Sequence, residues 1–454
     1  MTPTFCDIDN DGDLDFFTGN MIGTITFYEN IEINNSSPVF NMVTDFWEEI
    51  YIVGPSQNRH GASAITFVDI DNDNDYDLSW GDYYQQSLYI IINNGSIYES
   101  NMDNNNIIFE YPQNDPIITA GLNMPTFTDI DNDGDKDLFV TVLSGAYGYQ
   151  LKNNFYFYEN EFDSSSFILQ TSDFIQTIDL LSDVAPSFID INNDDRIDMF
   201  IGTDFDPTDF PWTGTINFFQ NSESLESDDN SWVLVSNDFI ENDLGNNLVV
   251  EFEDIDNDND YDMFVGNFNG FIQYFQNIGN SNNAEFIFIE NIANIDMSGY
   301  SIPRLSDIDN DDDYDLFIGQ LNGKISFYEN IGSASTYNFN FITDDFENVD
   351  VGSRSAPEIL DLDQDGDLDM IVGSGFGQIY YYENIGDINN YNFEYSEDIE
   401  FPFLGKNIIP QFLNNKELIV GVSTGGLYYL SACNHPDINN DSQIDVNDII
   451  LIVN

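Results

Sequence analysis

The chain has 454 residues, 41% hydrophobic and 15% aromatic, enough to bury a sizeable core and to argue against disorder. It carries 83 acidic and 9 basic side chains, for a formal charge of −74. Such a surface excludes nucleic acid, whose phosphates need clustered Lys and Arg. It disfavours anionic membranes and polyanionic glycans, and it suits cations.

No apolar run approaches the ~18 residues of a transmembrane helix, so membrane insertion is not expected. No secretory signal is visible. The chain opens almost directly on an acidic segment at Asp7, which points to a missing N-terminus and to further domains in a longer parent chain.

Seven Asp-rich segments follow one another, starting at Asp7, Asp69, Asp129, Asp190, Asp254, Asp307 and Asp361. The intervals are 62, 60, 61, 64, 53 and 54 residues, one supersecondary unit repeated with loop insertions. Each unit begins with a short segment that often contains Pro, such as Pro125-Thr-Phe-Thr or Ala185-Pro-Ser-Phe. The Asp segment comes next, then an apolar run ending in Gly, such as Asp315-Leu-Phe-Ile-Gly319. A tight connection, Asn269-Gly270 or Asn322-Gly323 in two units, signals a hairpin. A third strand such as Ile325-Ser-Phe-Tyr-Glu-Asn330 and a weaker, aromatic-polar fourth such as Phe339-Asn-Phe-Ile342 complete the unit.

Four strands per unit without helical periodicity predict one antiparallel sheet per repeat. The second and third strands are apolar on both faces, as when sheets pack face to face around an axis. The expected fold is all-β, a β-propeller of four-stranded antiparallel blades. An eighth, degenerate unit lacks the Asp segment: Pro410-Gln-Phe-Leu, Glu417-Leu-Ile-Val-Gly421 and Gly425-Gly-Leu-Tyr-Tyr-Leu430. Eight blades are expected, seven being the alternative if end strands are shared across the closure.

Within each Asp segment oxygens recur at positions 1, 3, 5, 7 and 9. The sets are Asp7, Asp9, Asp11, Asp13, Asp15; Asp69, Asp71, Asp73, Asp75, Asp77; Asp129, Asp131, Asp133, Asp135, Asp137; and Asp190, Asn192, Asp194, Arg196, Asp198. The last three are Asp254, Asp256, Asp258, Asp260, Asp262; Asp307, Asp309, Asp311, Asp313, Asp315; and Asp361, Asp363, Asp365, Asp367, Asp369. Ca²⁺ takes six to eight oxygens at about 2.3–2.6 Å, and a curled nine-residue loop supplies five. The assignment is side chains at positions 1, 3, 5 and 9 and a backbone carbonyl at 7, since Arg196 stands at position 7 of the fourth loop. That loop, with Asn192 at position 3, is expected to be the weakest. Gly12, Gly134 and Gly366 sit at the sharp turn. Two like charges about 4 Å apart cost about 4 kcal/mol at an effective dielectric of 20, so four or five carboxylates in one curl require a cation. These are not EF-hands, whose position 12 is a bidentate acid. Here it is Thr18, Trp80, Val140, Ile201, Val265, Ile318 or Val372.

The repeat resembles the FG-GAP/VCBS family of calcium-binding propeller repeats, also found in integrin alpha-chain head domains. The matching pieces are the Asp loops, Phe264-Val-Gly266 or Phe317-Ile-Gly319 after them, and Val184-Ala-Pro186 or Ser355-Ala-Pro357 before them. The resemblance covers residues 1–432. It implies calcium between the first and second strands of a blade and an extracellular adhesion or ligand-binding role.

Residues 433–454 differ. Asp437, Asn439, Asp441, the carbonyl of Gln443 and Asp448 resemble the calcium loop of half a type I dockerin, followed by an apolar helix-like stretch from Ile449 to Val453. The tail departs from that family at Ser442 and in lacking the second half; a truncated dockerin and a short calcium-binding anchor are the alternatives.

A ligand is expected on the face opposite the Asp loops, where units two to four carry long connections with Tyr83, Tyr84, Tyr147, Tyr149, Phe210 and Trp212 beside Asp204 and Asp209. Exposed aromatics beside carboxylates suit neutral sugars or peptide side chains; loop packing is the plainer alternative. Catalysis finds little support. His60 and His435 stand in no triad-like context, and the paired acids are accounted for by calcium. The expected role is a non-catalytic binding module for a glycan or protein, the alternatives being the propeller of a secreted polysaccharide lyase or hydrolase and a structural spacer. Cys6 and Cys433 are either two separate buried thiols or a staple across ring closure.

Overall fold

The computed structural model describes residues 3–20, 23–31, 38–51, 64–82, 85–113, 115–119, 121–142, 154–161, 166–172, 174, 180, 182–205, 212–221, 232–292, 299–397, 399, 401–414, 417–431 and 450–452. Among these residues the chain is all-β, with three single 3-10 turns and no α-helix. The strands form eight antiparallel sheets of consecutive strands, seven with four strands and one with three. The three-stranded sheet ends at Tyr89–Ile91, and an isolated bridge from Ile90 to Ile108 stands where its fourth strand would pair. Eight blades therefore match the expected count. They span residues 3–44, 64–91, 123–171, 185–236, 249–291, 301–343, 356–396 and 409–452.

One local expectation is corrected. The helix-like stretch of the tail is a strand, Ile450–Ile452, antiparallel to Leu427–Ser431. A short Ile-rich run is too brief to sustain a helix and suits the pleated edge of a sheet. It becomes the fourth strand of blade eight.

The chain divides into two compact units. Residues 1–177 hold blades one to three, and residues 178–454 hold blades four to eight. The second unit closes on itself. First strands Ala185–Ile189, Val249–Glu253, Ser301–Ser306, Ala356–Leu360 and Ile409–Asn414 pack side by side, and the last of these returns to the first. Their inward residues Ala185, Val249, Ile302, Ala356 and Ile409 form one axial apolar cluster with Tyr300.

One steric device recurs at six junctions within the two units, at Gly81, Gly202, Gly266, Gly319, Gly373 and Gly421. The Gly that ends the second strand lies on the backbone preceding the next blade's first strand. A Cβ on Gly319 would come within 2.0 Å of the Ser355 carbonyl oxygen and 2.8 Å of Pro357 Cδ. At the seam, a Cβ on Gly421 would meet Val184 O at 2.1 Å and Pro186 Cδ at 2.8 Å, so the closing junction repeats the geometry of the others. This is the physical content of the paired Phe-x-Gly and Ala-Pro signatures.

Between blades the aromatic excess is consumed as expected. Phe17 of blade one meets Phe67 of blade two, and Phe200 of blade four meets Phe252 of blade five, each with ring centroids 4.7 Å apart. A fully buried ring such as Phe17 or Phe200 contributes about 1.5–3 kcal/mol by transfer from water.

The axis of the second unit also holds a buried ion network. Arg304 donates through Nε to Glu358 at 2.7 Å and through Nη1 to Glu251 at 3.0 Å. Glu358 accepts from Gln411 Nε2 and the Phe412 amide, and Glu251 from the Leu305 amide. Four blades are thereby tied by side chains that point where five apolar strands converge.

Candidate metal centres and the opposite face

All seven Asp loops connect a first strand to a second, and they share one backbone shape. Positions 4 and 6 are left-handed in every loop: Asn10 and Gly12 in the first, Asn257 and Asn259 in the fifth, Gln364 and Gly366 in the seventh. The glycines stand where expected, and Asn or Asp fills the same role elsewhere because its short polar side chain tolerates positive φ.

This curl turns the carboxylates inward. At position 1, Asp7, Asp69, Asp190, Asp254 and Asp307 each accept the position-5 amide at 3.0 Å and the position-6 amide at 2.8–3.2 Å. In all seven loops the position-7 amide bonds the position-5 carboxylate or its equivalent at 3.1 Å. One oxygen from each of positions 1, 3 and 5 lies within 4.8 Å of the others in loops one, three, five and six, as do positions 1, 3 and 9 in loop two.

Position 9 is the anchor. Asp15, Asp77, Asp137, Asp198, Asp262, Asp315 and Asp369 are all buried at the start of the second strand. Each gives one oxygen to the backbone amide of an Asn at the end of the third strand, at 2.7–3.0 Å. That Asn then accepts amides of the connection to the fourth strand; Asn330 Oδ1 binds the amides of Gly332 and Asn338, and Asn384 Oδ1 those of Gly386 and Asn392. The Asn that recurs at the end of the third strand was the sequence signal for this clamp, and reading the loops alone missed it.

Position 7 adds a group that sequence assigned only as a carbonyl. The side chains of Asp75, Asp260, Asp313 and Asp367 are 5–7% exposed, and each holds a buried carboxylate oxygen with no hydrogen-bond partner. Burial, then the neighbouring carboxylates, pushes these four and Asp135 up to about 6. Burial likewise raises position 9, to about 6 at Asp15 and Asp198 and about 7 at Asp77, Asp262 and Asp315. Oxygens that are buried, orphaned and mutually repelling fit a hard divalent cation, which takes oxygen ligands alone. With calcium bound, positions 1, 3, 5 and 9 would hold it, and its charge would offset the repulsion.

In the second unit the second strands all end against the next first strand, so the loops share one face and the second-to-third connections lie on the other. That other face carries large exposed aromatics: Trp212, Phe268, Phe271, Phe376 and Phe403. They surround a polar axial mouth. Arg354 lies 4.2 Å over the Tyr300 ring with Nη1 3.6 Å from Asp183, and Asn407 donates to Asp183 at 2.7 Å. The Arg of the linker before blade seven is thus structural. Of the aromatics expected to meet a ligand, Trp212 is on this face and exposed. Tyr83, Tyr84, Tyr147, Tyr149 and Phe210 lie outside the described residues, as do Asp209, His60, His435, Cys433 and the tail ligands Asp437, Asn439, Asp441, Gln443 and Asp448. Cys6 is a buried free thiol whose pKa burial pushes up.

No family model matches the chain, and no curated protein matches it. Solved structures do. A lectin of Agrocybe aegerita, described for recognition of non-reducing terminal N-acetylglucosamine, aligns over 87% of this chain and 94% of its own at 13% identity and TM-score 0.29. BBS1N in complex with ARL6DN aligns over 96% and 93% at 10% identity and TM-score 0.26. The NanB sialidase of Streptococcus pneumoniae aligns over 99% and 66% at 12% identity and TM-score 0.30.

Proposed function

We propose that this chain is a calcium-stabilised propeller protein that works outside the cytosol as a non-catalytic binding or adhesion module for a glycan or protein ligand. The observation that carries the calcium reading is the position-7 carboxylates of Asp75, Asp260, Asp313 and Asp367, each buried with one oxygen that accepts no hydrogen bond. Leaving such a group unpaired costs about 1–3 kcal/mol, more for a charge. A cation at the centre of each curl removes that cost. Extracellular calcium modules have dissociation constants of about 0.1–1 mM, a range open to loops built from mutually repelling acids.

The ligand reading rests on the opposite face. Trp212, Phe268 and Phe376 project from separate blades around acids and amides, so flat apolar surface alternates with hydrogen-bonding groups. A neutral sugar offers both an apolar ring face and hydroxyls. The chain's charge of −74 disfavours anionic polymers.

Two experiments test this. Melting curves with calcium and with chelator should differ by about 10 °C or more; coincident curves refute the calcium reading. Binding to a neutral glycan array should be lost on Trp212→Ala and Phe376→Ala with calcium-dependent melting intact. Array binding unchanged in both variants removes the ligand face.

A further inference from the structure

The fourth loop has the common backbone and different chemistry. Asn193 and Asp195 are left-handed, Asp190 accepts the amides of Asp194 and Asp195, and Asp198 accepts the amide of Asn221 at 2.8 Å, as in the other loops. Position 7, however, is Arg196. Its Nη2 pairs with Asp194 Oδ2, and its Nε donates to the Asn221 carbonyl at 3.1 Å. The guanidinium therefore lies between the position-5 carboxylate and the Asn that clamps position 9. In the other loops this position carries an inward carboxylate.

The charges point the same way. The odd positions carry five carboxylates in the other loops, and here three carboxylates, an amide and a guanidinium. A second cation would meet a like charge held in the same loop by Asp194, and the two would repel.

We infer that the fourth loop contains its own cation: the Arg196 guanidinium stands in for calcium, and this loop takes no metal. The inference rests on the calcium reading of the other six loops. Its consequence lies at the ring seam. Blade four closes the second unit against blade eight, and blade eight has no Asp loop. Its first three strands are instead linked at Glu417 of the second, which accepts from Asn414 of the first and Tyr429 of the third. Both blades of the seam are then independent of calcium, while blades five, six and seven depend on it.

The test counts calcium per full-length chain by native mass spectrometry. Asp190→Asn should leave the wild-type count unchanged, whereas Asp256→Asn should lower it by one. Loss of one ion in Asp190→Asn overturns the inference; a wild-type count of zero overturns the calcium reading instead. Melting in chelator supplies a readout free of metal. Arg196→Gln, which leaves the fourth loop's acids uncompensated, should lower the midpoint by about 2–4 °C, the shift for a kilocalorie-scale loss in a domain of this size. An unchanged midpoint overturns the assignment of Arg196 as the resident cation. Arg196→Asp should gain one bound ion.

Discussion

Replacing Gly421 with Ala adds one methyl group at the seam where blade eight meets blade four. The new Cβ would stand 2.1 Å from Val184 O and 2.9 Å from Val184 C, both backbone atoms, and 2.8 Å from Pro186 Cδ. None of these can swing aside as a long side chain could, so two strands must separate. Overpacking of this kind costs about 1–3 kcal/mol. At about 2–4 °C per kcal/mol for a large domain, the midpoint should fall by about 2–12 °C. Gly426→Ala is the matched control: it lies in the same blade, and its Cβ would meet nothing within 4 Å. Differential scanning calorimetry in saturating calcium reads both. Equal midpoints for the two variants would refute closure of the ring between blades four and eight.

Three further predictions follow from buried groups. Asp262→Ala strands the Asn277 amide and the Tyr274 hydroxyl, which now bond its two oxygens at 2.7 and 2.9 Å. At about 1–3 kcal/mol for each orphaned group, urea unfolding in chelator should show a loss of about 2–6 kcal/mol, and a loss under about 1 kcal/mol contradicts the clamp. Arg304→Met leaves Glu251 and Glu358 buried without their cation and should cost about 3–5 kcal/mol; a neutral effect by the same assay argues against the axial network. Burial outweighs the Arg304 attraction at Glu251 and pushes it from 4.5 up to about 8. A carboxyl raised in the fold contributes its full stability below the unfolded value and loses it as pH rises through the folded one. Glu251→Gln should therefore gain on wild type between these values, by at most about 1.4 kcal/mol per pH unit, and a difference flat with pH contradicts the assignment.

Much of the architecture was legible because the repeat writes each steric demand into a residue type. Asp at odd spacing, Gly or Asn at left-handed positions, Gly where blades touch and aromatics where they diverge each answer a local requirement. The blade count and strand order followed from these. The tail was misread as a helix because a few apolar residues carry no period, and only the open edge of Leu427–Ser431 decides that they pair as a strand. The Asn clamp went unseen because it acts between segments fifteen to twenty-three residues apart, each unremarkable alone.

By itself, then, the sequence determined an all-β repeat and its seven acidic loops, since these depend on spacing within a few residues. Tertiary structure decided which blades close on each other and that Arg304 binds two acids at the axis. It also decided that Arg196 bonds Asp194 and the Asn221 carbonyl where the other loops place a carboxylate. Those outcomes depend on distances between residues far apart in the chain. Local chemistry cannot encode them, because the same Gly and Pro signatures permit any blade to meet any other until the packed ring selects one partner.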